Sequence, residues 1–146
     1  MSLSPVAVLL AGLLLTPVAA AEVFEVKMLN RGAEGAMVYE PDHLRIAPGD
    51  TVRFVPTHAS HNAATLPGLL PQGAEAFKSK LNQPAEQAFD VPGLYGIQCI
   101  PHLAMGMVML IEVGERSASP VSLPDNLPAR ARSRLEAQLS QLEAER

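Results

Sequence analysis

The sequence predicts an all-β fold, a sandwich or barrel of short strands, followed by one C-terminal helix. Three observations support this prediction. Between Glu22 and Val113, short segments with apolar residues at alternate positions are separated by turn residues. Pro-Gly pairs stand at two of these turns, where proline pre-sets φ and glycine accepts a positive φ. After Gly114 the composition changes to a proline- and serine-rich stretch and then to a helical pattern.

The first residues have the pattern of a secretory signal peptide. Val6 to Leu15 is a continuous apolar run, followed by small residues. It is shorter than the roughly 20 apolar residues that a membrane-spanning helix needs. The start, "MSLSP", contains no Lys or Arg, which is atypical, and a buried apolar segment is the alternative. We expect residues 1–21 to be a signal peptide, with the mature chain beginning at Ala21 or Glu22 and exported.

The segments between 22 and 114 are predicted to form one domain of strands. "VFEVKM" alternates, placing Phe24, Val26 and Met28 on one face. "RIAPGDTVRFV" and "FDVPGLYGIQC" are each predicted to be strand, Pro-Gly turn, strand. "MVMLIEV" is a long apolar strand, expected to be buried on both faces until Glu112. Strands at this spacing favour an antiparallel sandwich or barrel.

The C-terminal part is predicted to be a connector and a helix. "AEAFKSKL", within the strand domain, could be a helical turn or a loop. Residues 115–127 form the proline- and serine-rich connector, and residues 128–145 are predicted to be helical. Leu135, Leu139 and Leu142 fall on one helical face. We expect this stripe to pack on the sandwich, with a dimerising helix as the alternative.

Charge and cysteine content exclude some functions. The formal net charge is −4, and no basic stripe interleaved with aromatic residues is present, so nucleic-acid binding is not expected. Cys99 is the only cysteine and cannot form a disulfide within the chain. In an exported protein such a thiol should be buried or occupied by a ligand. This is the first indication that Cys99 binds a metal.

"QCIPHLAMGMVML" places Cys99, His102, Met105 and Met107 within nine positions. Thiolate and imidazole suit zinc or copper, and a thioether favours copper. Two His and one Cys with a weak axial Met form the ligand set of a blue-copper site. The second histidine would come from His43, His58 or His61. Residue spacing alone leaves that choice open, and it also leaves Met105 and Met107 tied.

The stretch "YGIQCIPHLAMGMVMLIEVG" resembles the C-terminal ligand loop of the pseudoazurins, a family of blue-copper cupredoxins. The resemblance extends through "FEVKMLNRGAEGAMVYEPDHLRIAPGDTVRFVPT", "SHNAAT" and "PQGAEAFKSK", in the same order, and covers Val23 to Val113. It implies a Greek-key β-sandwich or barrel of the cupredoxin type with a C-terminal α-helical extension. "VPGLYG" also resembles the tyrosine corner of Greek-key proteins.

By position, the resemblance implies His61, Cys99, His102 and, axially, Met107 as ligands of one copper ion that cycles between Cu(I) and Cu(II). It implies that Asn62 links the two ligand loops, and it leaves His43 and His58 without a metal role. The partner-docking surface that it implies lies around the copper end of the molecule. Its expected members are Pro101, Leu103, Met105, Lys78 and Lys80, together with residues 66–70.

The implied function is periplasmic electron transfer by a monomer without enzymatic activity. Electrons would pass from a periplasmic or membrane-bound donor to a copper-type nitrite reductase or another terminal reductase of denitrification. The alternatives are a periplasmic copper chaperone or storage protein, and an enzyme with Cys99 as nucleophile and His102 as base.

The sequence departs from the family pattern in two places near the expected copper site. Ser60 stands where the family usually has glycine. Few lysines surround the expected copper end, which favours a partner with a weaker negative patch.

Overall fold

The computed structural model describes residues 19–116 and 119–146, so most of the predicted signal peptide lies outside the described residues. The described residues form eight strands, a 3₁₀ helix at Ile100–Met105 and one α-helix, α1 (Ala129–Ala144). The strands are β1 (Val23–Gly32), β2 (Gly35–Glu40), β3 (His43–Ile46), β4 (Asp50–Val55), β5 (Ala64–Thr65), β6 (Ala85–Phe89), β7 (Gly93–Gln98) and β8 (Val108–Val113).

The strands form two four-stranded sheets, which confirms the predicted all-β sandwich. The first sheet has the order β2-β1-β4-β6 and the second β3-β8-β7-β5. Each sheet contains one parallel pair, β1 with β4 and β3 with β8. The pairing is mixed where the strand spacing had favoured an antiparallel sandwich, because the chain crosses between sheets and returns non-consecutive strands side by side.

The main core lies between the sheets and is filled by the inward positions of the alternating strands. Val26 and Met28 of β1 and Phe54 of β4 are fully buried, as the alternation predicted. The tyrosine corner is also present, since the Tyr95 hydroxyl donates to the carbonyl oxygen of Val91 at 2.7 Å. This contact fixes the start of β7, the strand that leads into Cys99.

β8 separates this core from a second apolar layer beneath α1. Met109 and Ile111 belong to the core between the sheets, whereas Leu110 packs with Leu135 and Leu142 of α1. The predicted helix therefore packs on the sandwich. Within it, Leu139 is only half-buried, and Gln138 takes a buried position between the leucines.

The buried run of β8 does not stop at Glu112, which is 2% exposed. Its carboxylate accepts hydrogen bonds from Arg45, Arg116 and Arg146 at 2.9, 3.0 and 2.8 Å. Hydrogen bonding to the three guanidinium groups offsets the cost of burying the charge. The sequence pattern did not predict this burial. Burial raises the pKa of Glu112, but the three arginines outweigh it and hold the pKa below its usual value.

Two loops complete the fold. Residues 74–81, predicted as a helical turn or a loop, form a loop with a single bridge between Lys78 and Ala64. The described residues of the connector, 115–116 and 119–127, contain no helix or strand.

Among the described helices, none has the length and apolar character required to cross a membrane. The division of the chain at 114 and 128 stays a prediction.

Candidate metal centre

Three of the predicted ligands lie on one tight loop between β7 and β8. Cys99 follows β7, the 3₁₀ helix contains His102, and Met107 directly precedes β8. Backbone hydrogen bonds connect these residues: Cys99 N–H to Met107 O at 3.0 Å, His102 N–H to Cys99 O at 3.1 Å, and Met107 N–H to His102 O at 3.2 Å. Gly106 closes the helix with a φ of +81°. The loop is therefore held by its own backbone.

His61 comes from a second loop, between β4 and β5. The preceding residue, Ser60, has a φ of +75°, a left-handed conformation that glycine adopts more readily. The loop is fastened by Asn82, whose side-chain oxygen accepts from Ser60 N–H and whose N–H donates to His61 O at 3.0 Å. The backbone of Ser60 is therefore strained, and these two hydrogen bonds help to offset the cost of the strain.

The donor atoms of His61, Cys99 and His102 converge within 4.8 Å of one another. Cys99 Sγ lies 3.7 Å from His61 Nδ1 and 3.5 Å from His102 Nδ1, and the two nitrogens are 3.2 Å apart. Ligands in a trigonal plane at about 2.0 Å (imidazole N) and about 2.3 Å (thiolate S) would be about 3.5 Å (N to N) and about 3.7 Å (N to S) apart. The observed spacing therefore fits one metal ion bound by three donors.

The protonation of His61 also suits metal binding. Its Nε2 lies 2.8 Å from the side-chain oxygen of Asn30, which can only accept a hydrogen bond. The proton is therefore on Nε2, and the lone pair on Nδ1 faces Cys99 and His102. Burial, together with the neighbouring His102 and His58, lowers the pKa of His61 to about 4. At neutral pH the imidazole is uncharged and available as a ligand.

The thiol of Cys99 is buried. Burial raises its pKa, while the backbone N–H groups of Asn62 and His102 act in the opposite direction by hydrogen-bonding the sulfur. A bound cation would favour the thiolate far more strongly than these dipoles do. Metal binding should therefore release the thiol proton.

Asn62 lies between the two loops that hold His61 and Cys99. Its Oδ1 accepts from the Ile100 N–H at 2.9 Å, directly after Cys99. Its carbonyl oxygen accepts from the Tyr39 hydroxyl at 2.8 Å, and its Nδ2 lies 3.4 Å from Ser79 O. One buried side chain thus holds the His61 loop against the Cys99 loop.

The methionines and histidines among which residue spacing could not choose differ in burial and in hydrogen-bond partners. Met107 is fully buried in the same core cluster as Cys99, whereas Met105 is 43% exposed. His58 is exposed and accepts from the Asn30 N–H. His43 is partly buried and bonds Asp42 and Glu145.

The residues expected to form a docking surface near His102 differ in exposure. Pro101, Met105, Lys78 and Lys80 are exposed and Leu103 is half-buried. A shallow groove of about 530 Å³ is lined by both lysines and by apolar or amide neighbours, including Leu81, Ile100 and Pro101.

The expectation that residues 66–70 add to this surface is wrong for two of its three leucines. Leu66 and Leu69 are buried, because they pack over Gly96, where a side chain would collide with them.

Several residues that support the site were missed from the sequence: Asn30, Tyr39, Ser79, Asn82 and Arg134. Each reaches the site from another strand, loop or helix, so no local pattern marks any of them except Asn82. Asn82 alone carried a signal, since asparagine tolerates the left-handed backbone that it adopts here, with a φ of +60°.

Comparisons with known proteins agree with this geometry. The family model described as copper binding proteins of the plastocyanin/azurin family matches residues 26–114. A Rhizobium leguminosarum bv. viciae protein whose name places it among the pseudoazurins is 50% identical over 120 residues, covering 81% of this chain and 78% of that protein. The pseudoazurin of Paracoccus pantotrophus is 45% identical over 123 residues, covering 84% and 85%. The crystal structure of pseudoazurin from Methylobacterium extorquens AM1 superimposes with a TM-score of 0.76 at 38% identity, covering 82% of this chain and 98% of that one.

Proposed function

The chain belongs to the pseudoazurins, within the plastocyanin/azurin family of copper-binding proteins, and on that premise we propose that it carries single electrons with one type I copper ion. The proposed ligands are His61, Cys99, His102 and, axially, Met107. The observation that supports this most is the convergence of one sulfur and two imidazole nitrogens, 3.2 to 3.7 Å apart, at the end of a packed sandwich.

The protein's part in this reaction is to hold the ligands still. When bound, copper supplies a one-electron Cu(I)/Cu(II) couple. Asn30 fixes the ring of His61, Asn62 joins the two ligand loops, and backbone hydrogen bonds close the Cys99 loop. A site that keeps one arrangement in both oxidation states requires little rearrangement, so electron transfer is fast.

His102 is the proposed exit for the electron. His61, Cys99 and Met107 are fully buried, whereas His102 is half-buried at the surface. Its neighbours Pro101 and Met105 are exposed and offer a small apolar contact around the ring. Electron-transfer partners use small, short-lived interfaces of this kind.

We propose that the partners are redox proteins in the periplasm. The signal-peptide pattern of residues 1–21 supports export. Lys78 and Lys80, exposed beside the groove next to Pro101, would attract an acidic partner. The proposed acceptor is a copper-type nitrite reductase or another terminal reductase, and the proposed donor is a periplasmic or membrane-bound carrier. The copper carrier itself is proposed to act as a monomer.

Voltammetry of the copper-loaded mature protein tests the electron-carrier function. We expect a reversible one-electron wave and retention of copper through repeated cycles in the presence of a Cu(I) chelator. A chaperone or storage protein would instead surrender its copper to the chelator on reduction, and that result would contradict the proposal.

Stopped-flow kinetics with a copper-type nitrite reductase test the partner surface. The rate constant should fall as ionic strength rises, and Lys78→Gln and Lys80→Gln, each made separately, should flatten that dependence. Lys27→Gln, an equal charge change at an exposed position of β1, is the matched control and should leave the dependence steep. An equal effect of Lys27→Gln would refute docking at this groove.

A further inference from the structure

Helix α1 lies directly against the segment that joins the ligand loop to β8. A Cβ atom added to Gly106 would lie 3.2 Å from the carbonyl carbon and oxygen of Arg130 and 2.8 Å from its Cγ. There is no room for a side chain between this turn of the helix and the loop. The helix and the residue before Met107 are therefore in direct contact.

Two side chains one helical turn apart hold the carbonyl groups on either side of Met107. Arg134 donates to the carbonyl oxygen of Gly106 at 2.7 Å, and Gln138 donates to that of Val108 at 3.1 Å. Residues four positions apart lie on the same face of a helix, so both contacts come from one face of α1. The amide and carbonyl of Met107 itself are bonded within the ligand loop, to His102 and Cys99.

Arg134 also connects this segment to the first sheet. It donates to the carbonyl oxygens of Met37 at 2.7 Å and Ala36 at 2.8 Å, both in β2. One charged side chain thus joins the ligand loop to the first sheet. Hydrogen bonds from a charged donor are stronger and more directional than neutral ones.

We propose that Arg134 and Gln138 are positioning residues that set how closely the Met107 thioether approaches the copper. This inference rests on the proposed function. Packing of Leu135 and Leu142 holds α1 on the second sheet. Apolar contacts of this kind do not fix the positions of individual carbonyl groups. The axial ligand tunes the properties of a type I copper site, so the two polar contacts should tune them as well.

Substitutions on α1 separate this role from simple helix packing. Arg134→Met and Gln138→Leu remove the donors while keeping most of the volume. Arg132→Met is the matched control. Arg132 also lies on α1 and donates to a carbonyl oxygen, but this oxygen belongs to Pro124 in the connector. We expect altered visible bands, a shifted midpoint potential and faster Cu(I) loss, about tenfold, in the first two variants. Arg132→Met should match the wild type, and Arg134→Lys should recover part of the change.

Amide hydrogen exchange on the metal-free protein gives a readout that needs no copper. In Arg134→Met, the Gly106 and Met107 amides should exchange about tenfold faster relative to β1 amides, with no such change in Arg132→Met. If the wild-type protein binds no copper, the proposed function is wrong, but amide exchange still tests whether Arg134 holds the Met107 segment in place. The positioning role would be overturned if amide exchange and spectra in both Arg134→Met and Gln138→Leu matched those of the wild type. It would also be overturned if Arg132→Met changed them as much as these two variants do. If Arg134→Met does not fold, Gln138→Leu decides.

Discussion

The Nε2 atom of His61 lies 2.8 Å from Oδ1 of Asn30, a strand residue 31 positions earlier in the chain. Because that oxygen is only an acceptor, it keeps the ring proton on Nε2 and directs the Nδ1 lone pair toward Cys99 and His102. The metal centre is therefore prepared by a residue that is not itself a ligand.

Replacing Asn30 should weaken copper binding. Asn30→Ala removes the acceptor, so the ring can rotate or change tautomer, and we expect copper affinity to fall about tenfold. Competition with a Cu(II) chelator of known affinity measures it. Asn30→Asp keeps an acceptor and should retain most of the affinity. An unchanged affinity in Asn30→Ala would show that the contact has no influence on the ligand.

The two methionines of the ligand loop should behave differently. Met107 is buried beside Cys99, whereas Met105 is 43% exposed. Met107→Leu should change the intensity ratio of the visible copper bands and the midpoint potential, because it removes the proposed axial thioether. Met105→Leu, the matched control, should leave both unchanged. The reverse pattern would exchange the roles of the two residues.

Ser60→Gly should stabilise the metal-free protein. The φ of Ser60 is +75°, which costs a residue with a Cβ atom about 1 kcal/mol more than glycine. Chemical denaturation should show a free energy of unfolding higher by roughly 0.5 kcal/mol, because the larger entropy of glycine in the unfolded chain offsets part of the relieved strain. Ser60→Ala, which keeps the strain, should lie near the wild type. A lower stability for Ser60→Gly would mean that the backbone here is not strained.

His43 should make stability depend on pH. Its ring lies 2.8 Å from Asp42 and 3.1 Å from Glu145 at the end of α1. Burial lowers its pKa, but hydrogen bonds and charge interactions with the two carboxylates outweigh burial and raise the pKa above 6.5. The folded state therefore binds this proton more tightly than the unfolded state. The resulting stability is fully present below pH 6.5 and is lost as pH rises through the raised pKa.

His43→Gln should remove that pH dependence. We expect the metal-free variant to be less stable than the wild type by about 0.5 kcal/mol at pH 5.5, with the difference vanishing at alkaline pH. Glu145→Gln, which keeps His43 but removes one partner, should lose part of the same difference. A stability difference that is constant from pH 5.5 to 9 would indicate lost packing and not a titrating ion pair.

Local patterns in the sequence predicted the strand faces and the Cys99 loop, because those features depend on neighbouring residues. Val26, Met28 and Phe54 point inward as alternation requires, and Cys99 and His102 share one loop. The choice between His58 and His61 depends on tertiary contacts, since only the folded loop turns one ring inward. The same holds for Glu112, whose burial requires three arginines, two of them from distant segments.

Visible absorption during titration of the metal-free mature protein with Cu(II) tests the central claim most directly. The account predicts an intense thiolate-to-copper band that saturates at one copper per chain, giving a blue or green solution, and its complete loss in Cys99→Ser. Absence of this band in the wild type, or its survival in Cys99→Ser, would contradict a type I copper site built on Cys99.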